Sequence, residues 1–182
     1  SIAELHRDFT TAIAPTKEAA AAALTDNFGH GTHVAGIIAG GLADVPETAV
    51  RVYENVFSSG DGAVQPQQTM QQRRVSPLES LHGVAPQCKL ISLKVLDDDG
   101  QGRSSDIMRA LAYIREELNG DPKLLRVHGV NLSIGYEFDA EMFACGQSPL
   151  CIEVDRLVKS GVVVVVAAGN TGYGVLPAQQ RQ

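Results

Sequence analysis

Lys89-Leu90-Ile91-Ser92-Leu93-Lys94-Val95-Leu96, running into Asp97-Asp98-Asp99-Gly100-Gln101-Gly102, is the stretch on which the fold turns. Its apolar residues are nearly continuous, as in strands buried within a parallel sheet. The acidic, glycine-bearing run after it reads as a loop. Ser104 then caps a predicted helix from about 105 to 118, with Ile107, Ala110, Leu111 and Ile114 on one face. Asn119-Gly120-Asp121-Pro122 ends that helix, and Gly129 to Gly135 is a second strand. Ile152 to Ser160 predicts another helix with Val154, Leu157 and Val158 inward, stopped by Gly161 in the left-handed conformation. Val162 to Val166 predicts a third strand, wholly buried, and Ala167-Ala168-Gly169-Asn170 its outgoing loop. This alternation predicts an α/β fold: a doubly wound, mostly parallel sheet with helices on both faces and right-handed crossovers.

Toward the N-terminus the pattern is less regular. Lys17 to Leu24 predicts a short, alanine-rich helix with Thr16 as a candidate cap, and Asp26 to Gly29 a turn. His30-Gly31-Thr32-His33-Val34-Ala35-Gly36-Ile37-Ile38-Ala39-Gly40 follows, with Val34, Ile37 and Ile38 at the spacing of an apolar helix face. Its small residues predict close approach to a neighbour, placing two imidazoles on the first turn. His30 and His33 could share a metal or act in proton transfer, since an imidazole titrates near neutral pH. No glutamate follows in a zincin-like arrangement and no third ligand is evident nearby, which favours the proton-transfer reading. Residues 42–80 read as a surface insertion between two core elements: Val50, Val52 and Val56 suggest a short strand or ribbon, Ser58 to Gly62 a loop, and Gln65 to Gln72 is glutamine-rich and polar.

The bulk properties exclude several classes. The 182 residues suit one domain, with 44% hydrophobic and 20% charged residues and a net charge of −6. Mild acidity, with only Arg73-Arg74 as a basic pair, argues against a nucleic-acid partner. The longest apolar run, Val162 to Ala168, is far short of the roughly 18 residues of a membrane span, so no membrane partner is expected. No signal peptide opens the chain, which starts at Ser1 and reads as a processed or partial product. Three cysteines leave at least one unpaired; Cys145 and Cys151 would close a small loop if bridged, and both states stay open. Cys88 is expected to pack as a small hydrophobe.

In such a sheet, ligands bind beyond the carboxyl ends of the strands. The segments there are Asp97–Gly102, Ser133–Tyr136 and Ala167–Gly172. Together with the histidine string, these resemble four segments of the subtilisin-like serine peptidases, in the same order, over about residues 26–174. The resemblance implies that His30 is the general base and that Asn170 donates its amide to the oxyanion. It implies that Gly100, Gln101 and Gly102 and Ser133, Ile134 and Gly135 flank an extended peptide, with Ala167, Ala168 and Gly169 flooring a specificity pocket. A peptide or protein substrate is expected and no cofactor; calcium is compatible with the family, but no site for it is identified. The resemblance also favours a secreted protein. The loop Asp97-Asp98-Asp99 either prefers basic residues upstream of the cut or is a solvated acidic turn.

Two parts of the family's machinery have no counterpart in this reading. The family's aspartate lies on a strand before the histidine motif and is followed by Ser or Thr and then Gly. Here Asp8 is followed by Phe9-Thr10, and Asp26 lies in a turn four residues before His30. The family's serine opens a helix in a Gly-Thr-Ser-Met-Ala-like string, which this sequence lacks. The sequence therefore reads as the central part of a peptidase domain, incomplete at both ends, inactive by itself and prone to self-association. A non-catalytic peptide-binding relative is the alternative. A nucleotide-binding domain is disfavoured, because no Gly-x-Gly-x-x-Gly follows a strand.

Overall fold

A computed structural model describes residues 2–11, 17–41, 48–57, 66–75, 82–135, 142–143 and 146–170. After a 3-10 turn at Ile2–Glu4 come strand β1 (Arg7–Asp8), helix α1 (Lys17–Ala22) and helix α2 (His30–Ala39). Strands β2 (Thr48–Phe57), β3 (Pro66–Val75) and β4 (Leu93–Lys94) lead to helix α3 (Ser104–Tyr113), whose last turns, Ile114–Leu118, widen to π geometry. Strand β5 (Gly129–Leu132), helix α4 (Pro149–Lys159) and strand β6 (Val163–Val166) complete the order. The chain forms two compact units, one of Ser1–Phe28 with Ile91–Gln182 and one of Gly29–Leu90.

The first unit is α/β, with two parallel pairs. β1 lies on β4 with Arg7 opposite Leu93 and Asp8 opposite Lys94. β5 lies on β6 from the Gly129–Val163 pair to the Leu132–Val166 pair. The ladder of β4 is far shorter than the eight-residue strand predicted, although Ser92 and Lys94 both accept backbone hydrogen bonds from the β1 segment. The core lies where α3 and α4 meet the strands. Leu111 and Leu157 are fully enclosed, with Phe9, Ile107, Ile114, Leu118, Leu150 and Val162 around them. All four residues predicted for the inner face of α3 are buried there, joined by Asp106 and Tyr113. Burial holds the Tyr113 phenol above its ordinary range, because the charged phenolate loses solvation.

Several local expectations change. Arg103, not Ser104, is the N-cap of α3, with no side-chain cap hydrogen bond. α4 begins earlier than predicted: Ser148 accepts from the Cys151 amide and Pro149 takes the first turn, where a missing N–H costs nothing. Leu150, Glu153 and Leu157 are buried, Val154 packs against the core, and Val158 is exposed. Gly161 has the expected positive φ, +97°. β6 is not wholly buried; Val162 is, but Val163 is 65% exposed, and Val165 and Val166 also face out. Thr16 and Cys145 lie outside the described residues, and with Cys145 the question of a bridge to Cys151.

In the second unit, β2 and β3 form a ten-residue antiparallel pair, Thr48 opposite Val75 and Phe57 opposite Pro66. The ribbon was legible in the valine alternation, and the glutamine-rich stretch supplies its second strand. The Ser58–Gly62 loop is outside the described residues. Against the last turn of α2 runs the segment from His82: Gly83 N donates to Gly40 O, Val84 N to Ile37 O and Ala85 N to Ile38 O, at 2.7–2.9 Å. A Cβ on Gly83 would stand 2.6 Å from the Ile38 carbonyl carbon, so this approach requires glycine. This is the close approach expected of the small residues of α2, made at its C-terminal turn; a Cβ on Gly36 would meet nothing within 4 Å. Cys88 is exposed and does not pack as a core residue.

Candidate active site

Within the first unit, the segments that follow β4, β5 and β6 all leave from the carboxyl ends of parallel strands. The β4 exit is a tight acidic loop. Leu96 and Gly102 bridge across it, and Asp97 N donates to Gln101 O at 2.7 Å. Asp97 Oδ1 accepts from the amides of Asp99 and Gln101, so this carboxylate holds the loop together from inside. Gly100 has φ +74°, and a Cβ there would stand 2.7 Å from the Phe28 ring. A Cβ on Gly102 would meet the Val95 carbonyl oxygen at 2.5 Å. Both glycines are therefore fixed by the shape of the loop.

Asp98 is occupied as well. Lys94 Nζ donates to its Oδ1 and Asn27 Nδ2 to its Oδ2, each at 2.9 Å. The Lys94 hydrogen bond, then that of Asn27, holds the carboxyl below the ordinary carboxylate range, and Asp98 in turn raises Lys94. Two of the three loop aspartates thus serve the fold, and the reading of a basic-residue preference loses most of its basis.

A cleft of ≈ 720 Å³ opens between this loop and the β5 exit. Gly100, Gln101 and Gly102 line one wall and Ile134 and Gly135 the other, with Leu96 and Ile107 supplying apolar surface. These are five of the six residues predicted to flank a peptide. Ser133 stands at its edge, where Asn131 Nδ2 donates to its hydroxyl at 2.7 Å. Ala167 N donates to Leu132 O, which continues the β5–β6 pairing by one residue. Ala167, Ala168, Gly169 and Asn170 follow as an exposed exit segment, turned by Gly169 at φ +89°, and do not line the cleft.

His30 belongs to the second unit, as the first residue of α2 and exposed. Gly29 enters the helix at φ +90°, and its carbonyl accepts from the His33 amide at 3.0 Å. His33 is also exposed. Among the described residues, no three His, Cys, Asp or Glu side chains come together to hold a metal ion.

One residue gains a place that its sequence context did not suggest. Asp8 is the last residue of β1, on a strand that precedes the histidine motif and is parallel to β4. Its Oδ1 accepts from both the amide and the hydroxyl of Thr10, at 2.8 and 2.6 Å. Its two-residue strand is too short to show in hydrophobic periodicity.

The Subtilase family's sequence model matches residues 6–182, which includes Asp8. Pyrolysin of Pyrococcus furiosus is 32% identical over 160 residues, covering 82% of this chain and 10% of pyrolysin. Subtilisin of a Bacillus species is 29% identical over 168 residues, 91% of this chain and 28% of that protein. Subtilisin DY of Bacillus licheniformis is 29% identical, covering 81% of this chain and 36% of that protein. The chain thus spans only about a tenth to a third of these relatives. With a match from before β1 to the end of the chain, and strand-end loops meeting at one cleft, the chain belongs to the Subtilase family of serine peptidases.

Proposed function

We propose that this chain is part of a serine endopeptidase that hydrolyses peptide bonds through an acyl-enzyme. His30 is the general base and Asn170 donates to the oxyanion. The nucleophilic serine and the carboxylate that orients the imidazole come from sequence outside these 182 residues, so the chain by itself is inactive. In the complete enzyme, the serine hydroxyl attacks the scissile carbonyl while His30 takes its proton and then passes it to the leaving amine. Water, deprotonated by the same imidazole, releases the acyl group. Loss of an oxyanion donor such as Asn170 would cost about 10²–10³ in turnover, a magnitude that comes from subtilisin itself. We further infer that β1–β4 and β5–β6 are neighbouring parts of one doubly wound parallel sheet.

The observation that carries this reading is the cleft. The loop segment Gly100–Gly102 and the β5 exit Ile134–Gly135 line its two sides, with room for a peptide main chain between them. The test is labelling of the full-length protein with a fluorophosphonate. We expect one serine to label, with labelling lost in His30→Ala, and no labelling of the 182-residue chain alone. A full-length protein that binds peptides but neither labels nor cleaves would instead be the non-catalytic relative.

A further inference from the structure

The cleft between the β4 loop and the β5 exit combines two kinds of surface. Leu96, Ile107 and Ile134 make it apolar, and Arg103 and Ser104, at the start of α3, line it as well. Among the described residues, Arg103 is the one charged residue that lines it. Arg103 is exposed, and its guanidinium has no hydrogen bond or ion pair.

The acids nearest in sequence are engaged elsewhere. Asp97 Oδ1 accepts from two loop amides, and Asp98 is held by Lys94 and Asn27. Asp106 is buried and accepts from Arg109 Nη2 at 2.8 Å and from Ser105 Oγ at 3.3 Å. Asp99 is exposed and does not line the cleft. The Arg103 guanidinium is therefore left unneutralised beside apolar surface. Its planar fork of donors matches a carboxylate, and the Ser104 hydroxyl is a further donor in the same lining. A short apolar stem that ends in a carboxylate suits this lining, and a glutamate side chain has that form.

We propose that this cleft selects a glutamate side chain of the substrate through Arg103. The proposal rests on the peptidase reading and gives it a substrate class, peptides that are acidic at one position near the cut. The pocket beside the scissile bond was expected at Ala167, Ala168 and Gly169, which do not line this cleft. The selected side chain is therefore not the one beside that bond. Aspartate fits less well, because its single methylene covers less of the apolar wall. The preference is opposite in sign to the one that three free loop aspartates would impose.

The test uses the full-length protein and paired fluorogenic peptides that differ only by Glu against Gln, scanned through the positions around the cut. At one position the Glu peptide should have a kcat/KM about two- to fivefold above its Gln partner, the size of an exposed ion pair. That ratio should shrink toward one in about 1 M sodium chloride, where charges are screened. Arg103→Lys should keep a preference of the same sign, Arg103→Met should bring the ratio to about one, and Arg103→Glu should favour a Lys peptide instead. The exposed, unbonded side chain makes these variants tolerable to the fold, and equal urea midpoints check it. If the wild type cleaves both peptides equally at every position, or Arg103→Met keeps the ratio, the selection is wrong and the peptidase reading stands. A wild type that cleaves none of the peptides overturns the proposal, and fluorophosphonate labelling then decides whether the peptidase reading falls with it.

Discussion

Helices α2 and α3 are of equal length, and both carry apolar residues at helical spacing, yet they end in opposite environments. α3 buries Ile107, Ala110, Leu111 and Tyr113 against α4 and the strands. α2 has no buried residue, and Ile37 is 54% exposed. The difference lies in what faces them. α3 meets a second amphipathic helix whose Leu157 closes the same core, whereas α2 is met in its own unit by one extended segment at its C-terminal turn. Periodicity states which face could be buried; only a partner element buries it.

The largest effect that sharpens this contrast is expected at the core. Leu157→Ala should destabilise the protein by about 2–5 kcal/mol, measured by urea unfolding, because a fully enclosed leucine leaves a cavity. Ile37→Ala, on the exposed helix, should cost at most about 0.5 kcal/mol in the same assay. Equal costs would break the contrast and show that α2 is covered.

A second expected effect concerns the salt bridges of α3 and α4. Glu153 accepts from Arg115 Nε and Nη2 at 3.1 and 3.0 Å and from Arg156 Nη1 at 3.1 Å, and it is buried. That bond to Glu153 raises Arg115 further above neutrality. Glu153→Gln should cost about 1–3 kcal/mol, since it weakens two charge-assisted contacts at a desolvated site. An unchanged urea midpoint would place the helix contact on apolar packing alone.

Next comes β6, where the uncovered valines resemble α2 more than α3. The 182-residue chain should bind a hydrophobic dye and gain mass with concentration in light scattering, through Val163, Val165 and Val166. Val163→Thr with Val165→Thr should reduce both. A monomeric chain that binds no dye would show this surface to be covered.

The smallest effect is a pH dependence at the β4 loop. Asp98 has its carboxyl lowered below its ordinary value of 3.8 by Lys94 and Asn27. Its contribution is therefore present above pH 3.8 and fades as pH falls through the lower folded value. Lys94 is raised above 10.5, so its contribution is present below that pH and fades as pH rises through the folded value. Between these limits the exposed pair should add a small constant term. Melting temperatures of wild type and Asp98→Asn should differ slightly at pH 7 and converge in acid; parallel curves down to pH 2 would rule the pair out.

The sequence alone determined the order of strands and helices from Lys89 to Val166, the inner face of α3 and the Gly161 stop. These follow from local rules, in which spacing, glycine conformation and apolar runs act within a few residues of each other. Tertiary structure decided what depends on a distant partner. It set the start of α4 through Ser148 and Pro149, left β6 half-uncovered, and tied Asp97 and Asp98 into the loop. It also gave Asp8 its place, through a strand of two residues whose pairing with Leu93–Lys94 lies some 86 positions away in the chain. No local pattern encodes that pairing, because its hydrogen bonds are made only when residues remote in sequence meet.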